Sequence, residues 1–143
     1  MFYPVGAVVV FDDEVIGVGF KTKDQDPRLD HSEICALRQA FKRGHKWADK
    51  MTIFTTLEPC AQCFFTALNC RVGKIVYAME DPYGGMTSCP HIALPVRHQN
   101  DVPIVTSGPL REESRELLRQ FFATTKHEFW QKRENPLVKA CFL

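Results

Sequence analysis

The chain has 143 residues, 45% of them hydrophobic, which suits one globular domain around a single core. Its 18 basic and 17 acidic side chains give a formal net charge of +1, which excludes a strong overall attraction to nucleic acid but not a local basic groove. The sequence has no apolar run near the ~20 residues that span a bilayer and no secretory signal at its start. We therefore expect a cytoplasmic protein with reduced cysteines and no membrane partner.

Strand and helix patterns alternate along the first half of the chain. Two apolar, β-branched runs at 5–11 and 14–20 predict a β-hairpin, and a polar loop follows. Apolar residues at helical spacing predict a helix with Asp30 or Ser32 as its N-cap and Gly44 at its end. The next elements are a strand at 51–56, a helix from about Cys60 to Cys70 that follows Pro59, and a strand at 74–78.

The second half begins with a long loop at 80–101, a length that is usually functional or mobile in a compact domain. A strand at 102–106, a helix from Pro109 and a helical stretch at about 125–133 follow, and Asn135-Pro136 ends that stretch before an apolar tail. The alternation predicts a three-layer α/β/α domain. We expect one domain over 1–143, with a core at about 4–123 and a C-terminal helix and tail at about 124–143.

His31-Ser32-Glu33 and Pro59-Cys60-Ala61-Gln62-Cys63 form the most informative pattern in the chain. A histidine and two thiolates occupy three corners of a zinc tetrahedron and leave the fourth for water, which is typical of a catalytic site. The spacing matches the H-x-E…P-C-x-x-C signature of zinc-dependent nucleobase deaminases. We predict one Zn²⁺ per chain on His31, Cys60 and Cys63, with water or hydroxide as the fourth ligand.

Glu33 is the predicted catalytic residue, because a carboxylate two positions from a metal ligand can move protons at the bound water. Hydroxide would attack a ring carbon that bears an amine, and Glu33 would return protons to the ring nitrogen and to the leaving ammonia. The predicted reaction replaces an exocyclic amine with a carbonyl group.

Other interpretations of the cysteines remain open. A C-x-x-C pair can be a redox dithiol, and Cys70 or Cys89 could close a structural zinc site. A non-catalytic, zinc-bearing subunit that binds RNA or a catalytic partner is the alternative function. Glu33 counts against it, because such a subunit has no need of a proton shuttle.

The segments around the motifs resemble the cytidine deaminase-like superfamily, and most closely its tRNA adenosine deaminase and guanine deaminase branch. The matching segments are 4–10 (PVGAVVV), 31–37 (HSEICAL), 56–63 (TLEPCAQC), 71–78 (RVGKIVYA) with Asp81-Pro82, and a late helix at 111–122. The resemblance implies a five-stranded mixed sheet, commonly a homodimer, and His31, Cys60 and Cys63 on zinc. It implies a nucleobase, nucleoside, nucleotide or tRNA adenosine as substrate, with tRNA as a candidate partner.

The resemblance also suggests substrate contacts. In the branch, the residues matching Gly6, Ala7 and the Leu57-Glu58-Pro59 turn line the base pocket. Lys21 stands where the branch typically has an asparagine, and its ammonium can only donate hydrogen bonds, which suits a carbonyl or phosphate. In the loop after the fourth strand, Asp81 and Tyr83 complete the predicted set, since aromatic rings stack on bases.

The family usually has a helix before the first strand, and this sequence begins almost at the strand. One sheet face would then lack its usual cover. Because exposed apolar patches of that size rarely persist, we expect the apolar tail, with Leu137, Val138, Phe142 and Leu143, or a partner subunit to fill the gap.

Overall fold

A computed structural model describes residues 3–143, and its centre is a five-stranded sheet. In chain order the strands are β1 (Gly6–Phe11), β2 (Glu14–Phe20), β3 (Thr52–Leu57), β4 (Lys74–Met79) and β5 (Ile104–Ser107). Their order across the sheet is β2-β1-β3-β4-β5. β1 runs antiparallel to both of its neighbours, whereas β3, β4 and β5 run parallel, so the predicted mixed sheet is confirmed.

Helices pack on both faces of this sheet. They are α1 (Ser32–Lys42), α2 (Ala61–Asn69), α3 (Arg111–Thr124), the single turn α4 (Glu128–Gln131) and α5 (Pro136–Phe142). α1 and α2 cover one face, and α3 and α5 lie on the other, which confirms the predicted three layers. Within residues 3–143, none of the helices combines the length and the apolar character needed to cross a bilayer.

The main core lies between the sheet and the layer formed by α1 and α2. Alternate strand residues such as Val9, Ile53 and Ile75 meet Leu37 of α1 and Phe64 of α2 there. A second cluster joins α3 and α5 to the ends of β3 and β4; its members are Leu57, Met79, Leu118, Phe121, Phe122, Leu137, Val138 and Cys141. Burial of one large apolar side chain stabilises the folded state by about 1.5–3 kcal/mol. These clusters therefore hold in place the ends of the strands and helices that carry the site.

Two glycines let α1 lie directly on β2. A Cβ atom on Gly17 would overlap the carbonyl oxygen of Ala36, and one on Gly19 would overlap that of Ser32. The buried Ser32 hydroxyl donates a hydrogen bond of 2.7 Å to the carbonyl oxygen of Val5, just before β1. The first turn of α1 is thereby held against the start of the sheet.

The C-terminal segment differs most from the sequence prediction. Asn135 and Pro136 begin a helix instead of ending one. The Asn135 side chain accepts hydrogen bonds of 2.9 and 3.5 Å from the N–H groups of Leu137 and Val138, as an N-cap does, and Pro136 occupies the first helical position. The predicted tail is therefore α5, and the helix predicted at 125–133 shrinks to α4.

Smaller differences concern element boundaries. α3 begins at Arg111 and not at Pro109, because Leu110 adopts a left-handed conformation with φ of 57°, which an α-helix does not accommodate. β5 begins two residues later than predicted. The long loop holds two short 3₁₀ turns, His91–Ala93 and Val96–His98.

Part of the second sheet face carries no helix in the described part of the chain, where β1 is the first regular element. A groove of about 610 Å³ lies over β1, β2 and β3, and its walls include Val8, Val18, Phe20 and Phe54. Phe20 is 59% exposed and Phe54 is 40% exposed. The tail does not cover this groove, because Leu137 and Val138 on α5 are buried against α3 and the ends of β3 and β4. The alternative, that a partner subunit covers it, stays a prediction.

Candidate active site

The two predicted metal-binding motifs meet where α1 and α2 begin. His31 directly precedes α1 and Cys60 directly precedes α2, both with extended backbone conformation. Cys63 lies in the first turn of α2 and is buried. The free N–H groups and positive dipole end of a helix favour nearby thiolates and carboxylates, so both helix starts support negative charge at this point. Ser32 is not the cap of α1, since its hydroxyl bonds to the strand segment.

The three side chains are close enough to share one metal ion. The Nδ1 atom of His31 lies 3.4 Å from the sulfur of Cys60 and 3.4 Å from the sulfur of Cys63. All three ligand atoms lie within 4.8 Å of one another. Zinc bonds of about 2.0 Å to nitrogen and 2.3 Å to sulfur, at tetrahedral angles, place nitrogen and sulfur about 3.5 Å apart. The donor set and its spacing therefore fit a tetrahedral metal with one position left for water.

Glu33 lies beside this group, in the first turn of α1, and is only 5% exposed. Its Oε1 atom accepts a hydrogen bond of 3.2 Å from the Thr55 hydroxyl on β3, and its Oε2 atom accepts one of 3.3 Å from the Cys63 thiol. Burial raises the pKa of the Glu33 carboxyl above its ordinary value. A carboxyl group held in this way can take a proton from a neighbouring water and pass it on.

The pKa values of the two thiols move apart because the thiols are hydrogen-bonded to each other. Hydrogen bonds from Cys63 and then from His31 lower the pKa of Cys60. The same bond to Cys60, together with burial, raises the pKa of Cys63. The hydrogen bond to Cys60 also raises the pKa of His31. Cys60 is therefore the first of the pair to ionise, which makes it the readier ligand for a soft or borderline metal.

Glu58 fastens the loop after β4 to the segment that carries Cys60. Its Oε1 atom accepts hydrogen bonds from the backbone N–H and the hydroxyl of Thr87, at 3.1 and 2.5 Å, and its Oε2 atom accepts one of 3.0 Å from the N–H of Asp81. A backbone bridge joins Cys60 to Gly85. The loop is therefore fixed next to the metal-binding group.

A cavity of about 420 Å³ opens onto His31, Glu33 and Cys60. Of the residues predicted to bind substrate, those that line it are Lys21, Leu57, Glu58, Asp81 and Tyr83. The structure does not bring the other three into this cavity: Gly6 and Ala7 line the groove on the uncovered sheet face, and Pro59 is fully buried.

Three residues of the site were not predicted from the sequence. Tyr3 and Trp130 line the cavity and stack on each other, with ring centroids 4.9 Å apart and planes at 8°, and Thr55 holds Glu33. Trp130 belongs to α4, and no local pattern shows that this turn folds back to Tyr3. Thr55 does carry a signal, because alternate residues of β3 face α1 and a buried hydroxyl needs a partner.

Comparison with known proteins decides the class of this site. The sequence profile of the MafB19-like deaminases matches residues 3–126. The chain belongs to the MafB19-like deaminase family. A solved structure from studies of A-to-I editing by tRNA:A34 deaminases at the wobble position of transfer RNA matches this deaminase with a TM-score of 0.70 at 31% identity. The match covers 80% of this chain and 84% of that chain.

Two curated relatives of the deaminase are tRNA-specific adenosine deaminases. The relative from Agrobacterium fabrum is 34% identical over 123 residues, which cover 83% of this chain and 80% of the relative. The relative from Bacillus subtilis is 31% identical over 134 residues, which cover 92% of this chain and 83% of the relative. The predicted enzyme class and the cytidine deaminase-like fold are confirmed, and the deaminase is hydrolytic: water replaces a ring amine, which leaves as ammonia.

Proposed function

We propose that the deaminase holds one Zn²⁺ on His31, Cys60 and Cys63 and uses Glu33 to move protons. The observation that carries this proposal is the buried Glu33 carboxyl, 3.3 Å from the Cys63 sulfur and beside three ligand atoms that leave one tetrahedral position free. When bound, zinc supplies a Lewis acid that lowers the pKa of a coordinated water from 15.7 to about 7.

In this proposal the residues of the chain have separate tasks. His31 and the two thiolates hold the metal, and the Thr55 hydroxyl keeps Glu33 in place through its hydrogen bond to Oε1. Glu33 takes a proton from the attacking water and passes protons to the ring nitrogen and to the leaving amine. One water is consumed, a C–O bond replaces the C–N bond, and ammonia leaves without any change in oxidation state.

The proposed substrate is a nucleobase, either free or within a nucleoside, a nucleotide or tRNA. The tRNA-specific relatives support an adenosine in tRNA. The cavity of about 420 Å³ falls in the range of small-molecule sites, which suits a single ring system.

We also propose that residues 1–143 form one domain, that the deaminase is a homodimer, and that it acts in the cytoplasm, where the tRNA-acting relatives would meet their substrate. Sedimentation at several concentrations measures the oligomeric state.

Ammonia release tests the proposal. Zinc-loaded wild type and Glu33→Ala are assayed on guanine, cytosine, adenosine, cytidine, dCMP and an adenosine-containing anticodon stem-loop. We expect wild type to turn over at least one substrate, and Glu33→Ala to lose about 100- to 10,000-fold in rate, because a positioned acid–base group contributes that much. Metal analysis should find one zinc per chain in both proteins. Glu134→Ala, at an exposed position, is the control and should keep full activity.

Three other outcomes would contradict this proposal. Equal ammonia release from wild type and Glu33→Ala would exclude the proton shuttle. Bound zinc, no release on any substrate and unchanged biological activity of Glu33→Ala would favour the non-catalytic subunit. A metal-free protein with a reversible Cys60–Cys63 disulfide would favour a redox protein.

A further inference from the structure

The Tyr3 side chain forms part of the wall of the cavity that opens onto Glu33 and Cys60. Its ring stacks on the ring of Trp130 with centroids 4.9 Å apart, and it meets the ring of Phe121 edge to face at 5.5 Å. Stacked and edge-to-face pairs of aromatic rings are both favourable. These two contacts therefore fix the plane of the phenol ring in the cavity wall.

Backbone hydrogen bonds tie Tyr3 to the start of α1. The N–H group of Val5 donates a hydrogen bond of 2.9 Å to the carbonyl oxygen of Tyr3. The carbonyl oxygen of Val5 in turn accepts the hydrogen bond of 2.7 Å from the Ser32 hydroxyl. Ser32 lies between His31 and Glu33 in the chain. The contact that seats α1 on the sheet therefore also positions Tyr3 next to the reactive group.

The hydroxyl group of Tyr3 has no hydrogen-bond partner within residues 3–143. Across the same residues, every fully buried side-chain oxygen or nitrogen atom has such a partner. The Tyr3 hydroxyl must therefore reach open space, and the open space that Tyr3 lines is the cavity. A phenylalanine would stack on Trp130 equally well, so the ring contacts do not account for the hydroxyl.

The surroundings keep this hydroxyl protonated. Burial raises the pKa of the Tyr3 phenol, and nearby negative charge, first that of Asp81, raises it further. A neutral phenol is a hydrogen-bond donor. The donor faces the cavity without a protein acceptor, so its natural partner is an acceptor atom of a bound molecule.

We propose that Tyr3 is a substrate-binding residue whose hydroxyl donates a hydrogen bond to an acceptor of the substrate other than the ring nitrogen that Glu33 protonates. Trp130 positions the phenol for this contact. The inference rests on the proposed deaminase function and adds a residue to that same site. The contact serves binding and leaves the chemical step to Glu33. A bond made equally to substrate and transition state changes KM and leaves kcat unchanged.

Removal of the hydroxyl alone tests the inference. Zinc-loaded Glu33→Ala, with and without Tyr3→Phe, is titrated calorimetrically with the five small compounds and the stem-loop of the ammonia assay. We expect Tyr3→Phe to weaken the compound that binds most tightly by about three- to tenfold, as the loss of one hydrogen bond between neutral groups does. The matched control is Tyr77→Phe, because Tyr77 lies on β4 and does not line the cavity. It should leave the affinity unchanged.

Turnover and stability separate a binding role from a structural one. With Glu33 intact, Tyr3→Phe should raise KM about three- to tenfold and leave kcat within about twofold of wild type. The midpoint of thermal unfolding should not fall, because phenylalanine keeps the stack on Trp130. A tyrosine that only supports the fold would show the opposite, a lower midpoint with unchanged KM.

A double-mutant cycle tests the positioning role of Trp130. Trp130→Leu should weaken binding in the protein that has Tyr3. Its effect should be about threefold smaller in the Tyr3→Phe protein, because the bond that Trp130 positions is then already lost. Equal losses in the two backgrounds would show that Trp130 acts independently of the hydroxyl, and the positioning role falls.

Unchanged affinity and unchanged KM in Tyr3→Phe would overturn the inference, even where ammonia release that depends on Glu33 supports the proposed function. Weaker binding in Tyr3→Phe without ammonia release from wild type would support the contact and refute the proposed function. Failure of every compound to bind would overturn both.

Discussion

Acidic side chains of this deaminase have different tasks that follow from their neighbours. Glu33 is buried beside the ligand group and has a thiol and a hydroxyl as partners. Glu58 lies two residues before the predicted ligand Cys60, yet both of its oxygens are occupied by the loop after β4. Glu58 is therefore a positioning residue for that loop, and Glu33 is the carboxylate available for chemistry.

Replacement of Glu58 by alanine should lower the free energy of unfolding by about 2–3 kcal/mol, because the N–H groups of Asp81 and Thr87 lose a charged acceptor. Urea unfolding followed by circular dichroism measures the change. The control is Glu80→Ala, whose exposed pair with Arg111 at 2.8 Å should cost less than about 1 kcal/mol. Equal costs for the two variants would contradict the positioning role.

Helix starts organise this protein at the scale of elements. α1 and α2 begin directly after His31 and Cys60, so the last residues of two loops are also predicted metal ligands. α5 begins directly after Asn135, whose side chain caps two N–H groups, and the buried face of α5 completes the cluster with α3.

Replacement of the cap residue Asn135 by alanine should destabilise the protein by about 1 kcal/mol, whereas Asn135→Asp should be nearly neutral because aspartate caps as well. Chemical denaturation of both variants measures this difference. Asn100→Ala, at an exposed loop position, should have no effect. A loss in Asn135→Asp as large as in Asn135→Ala would show that the cap is not the source of stability.

Local patterns predicted the parts of the fold that depend on near neighbours. The alternation of apolar residues located the five strands, and short spacings placed His31, Glu33, Cys60 and Cys63 at two helix starts. Contacts between distant segments were not predictable in this way. Trp130 stacks on Tyr3 from the opposite end of the chain, and only the path of the C-terminal segment determines that contact. Asn-Pro pairs end some helices and begin others. The local pattern therefore did not show that α5 starts here and packs against α3.

The proposed metal connects distant parts of the whole molecule, because its ligands come from the starts of two helices. A metal that binds only the folded chain adds about 4 kcal/mol to the free energy of unfolding when its concentration is 1,000-fold above its Kd. We therefore expect a chelator to lower the midpoint of thermal unfolding by roughly 10–20 °C. Calorimetry should find no such shift in Cys60→Ala, whereas Cys35→Ala should keep it. An equal shift in Cys60→Ala would place the metal elsewhere.

In the single chain, the exposed side chains Val18, Phe20 and Phe54 on the uncovered sheet face already contact water before the protein unfolds. Apolar surface adds about 0.45 cal/mol/K per Å² to the heat capacity of unfolding only where water reaches it for the first time. Surface that is hydrated in both states adds nothing. The heat capacity change per residue is therefore smaller than in a domain with both faces covered. The curve of stability against temperature is correspondingly flatter, so the chain loses stability more gradually on cooling and on warming.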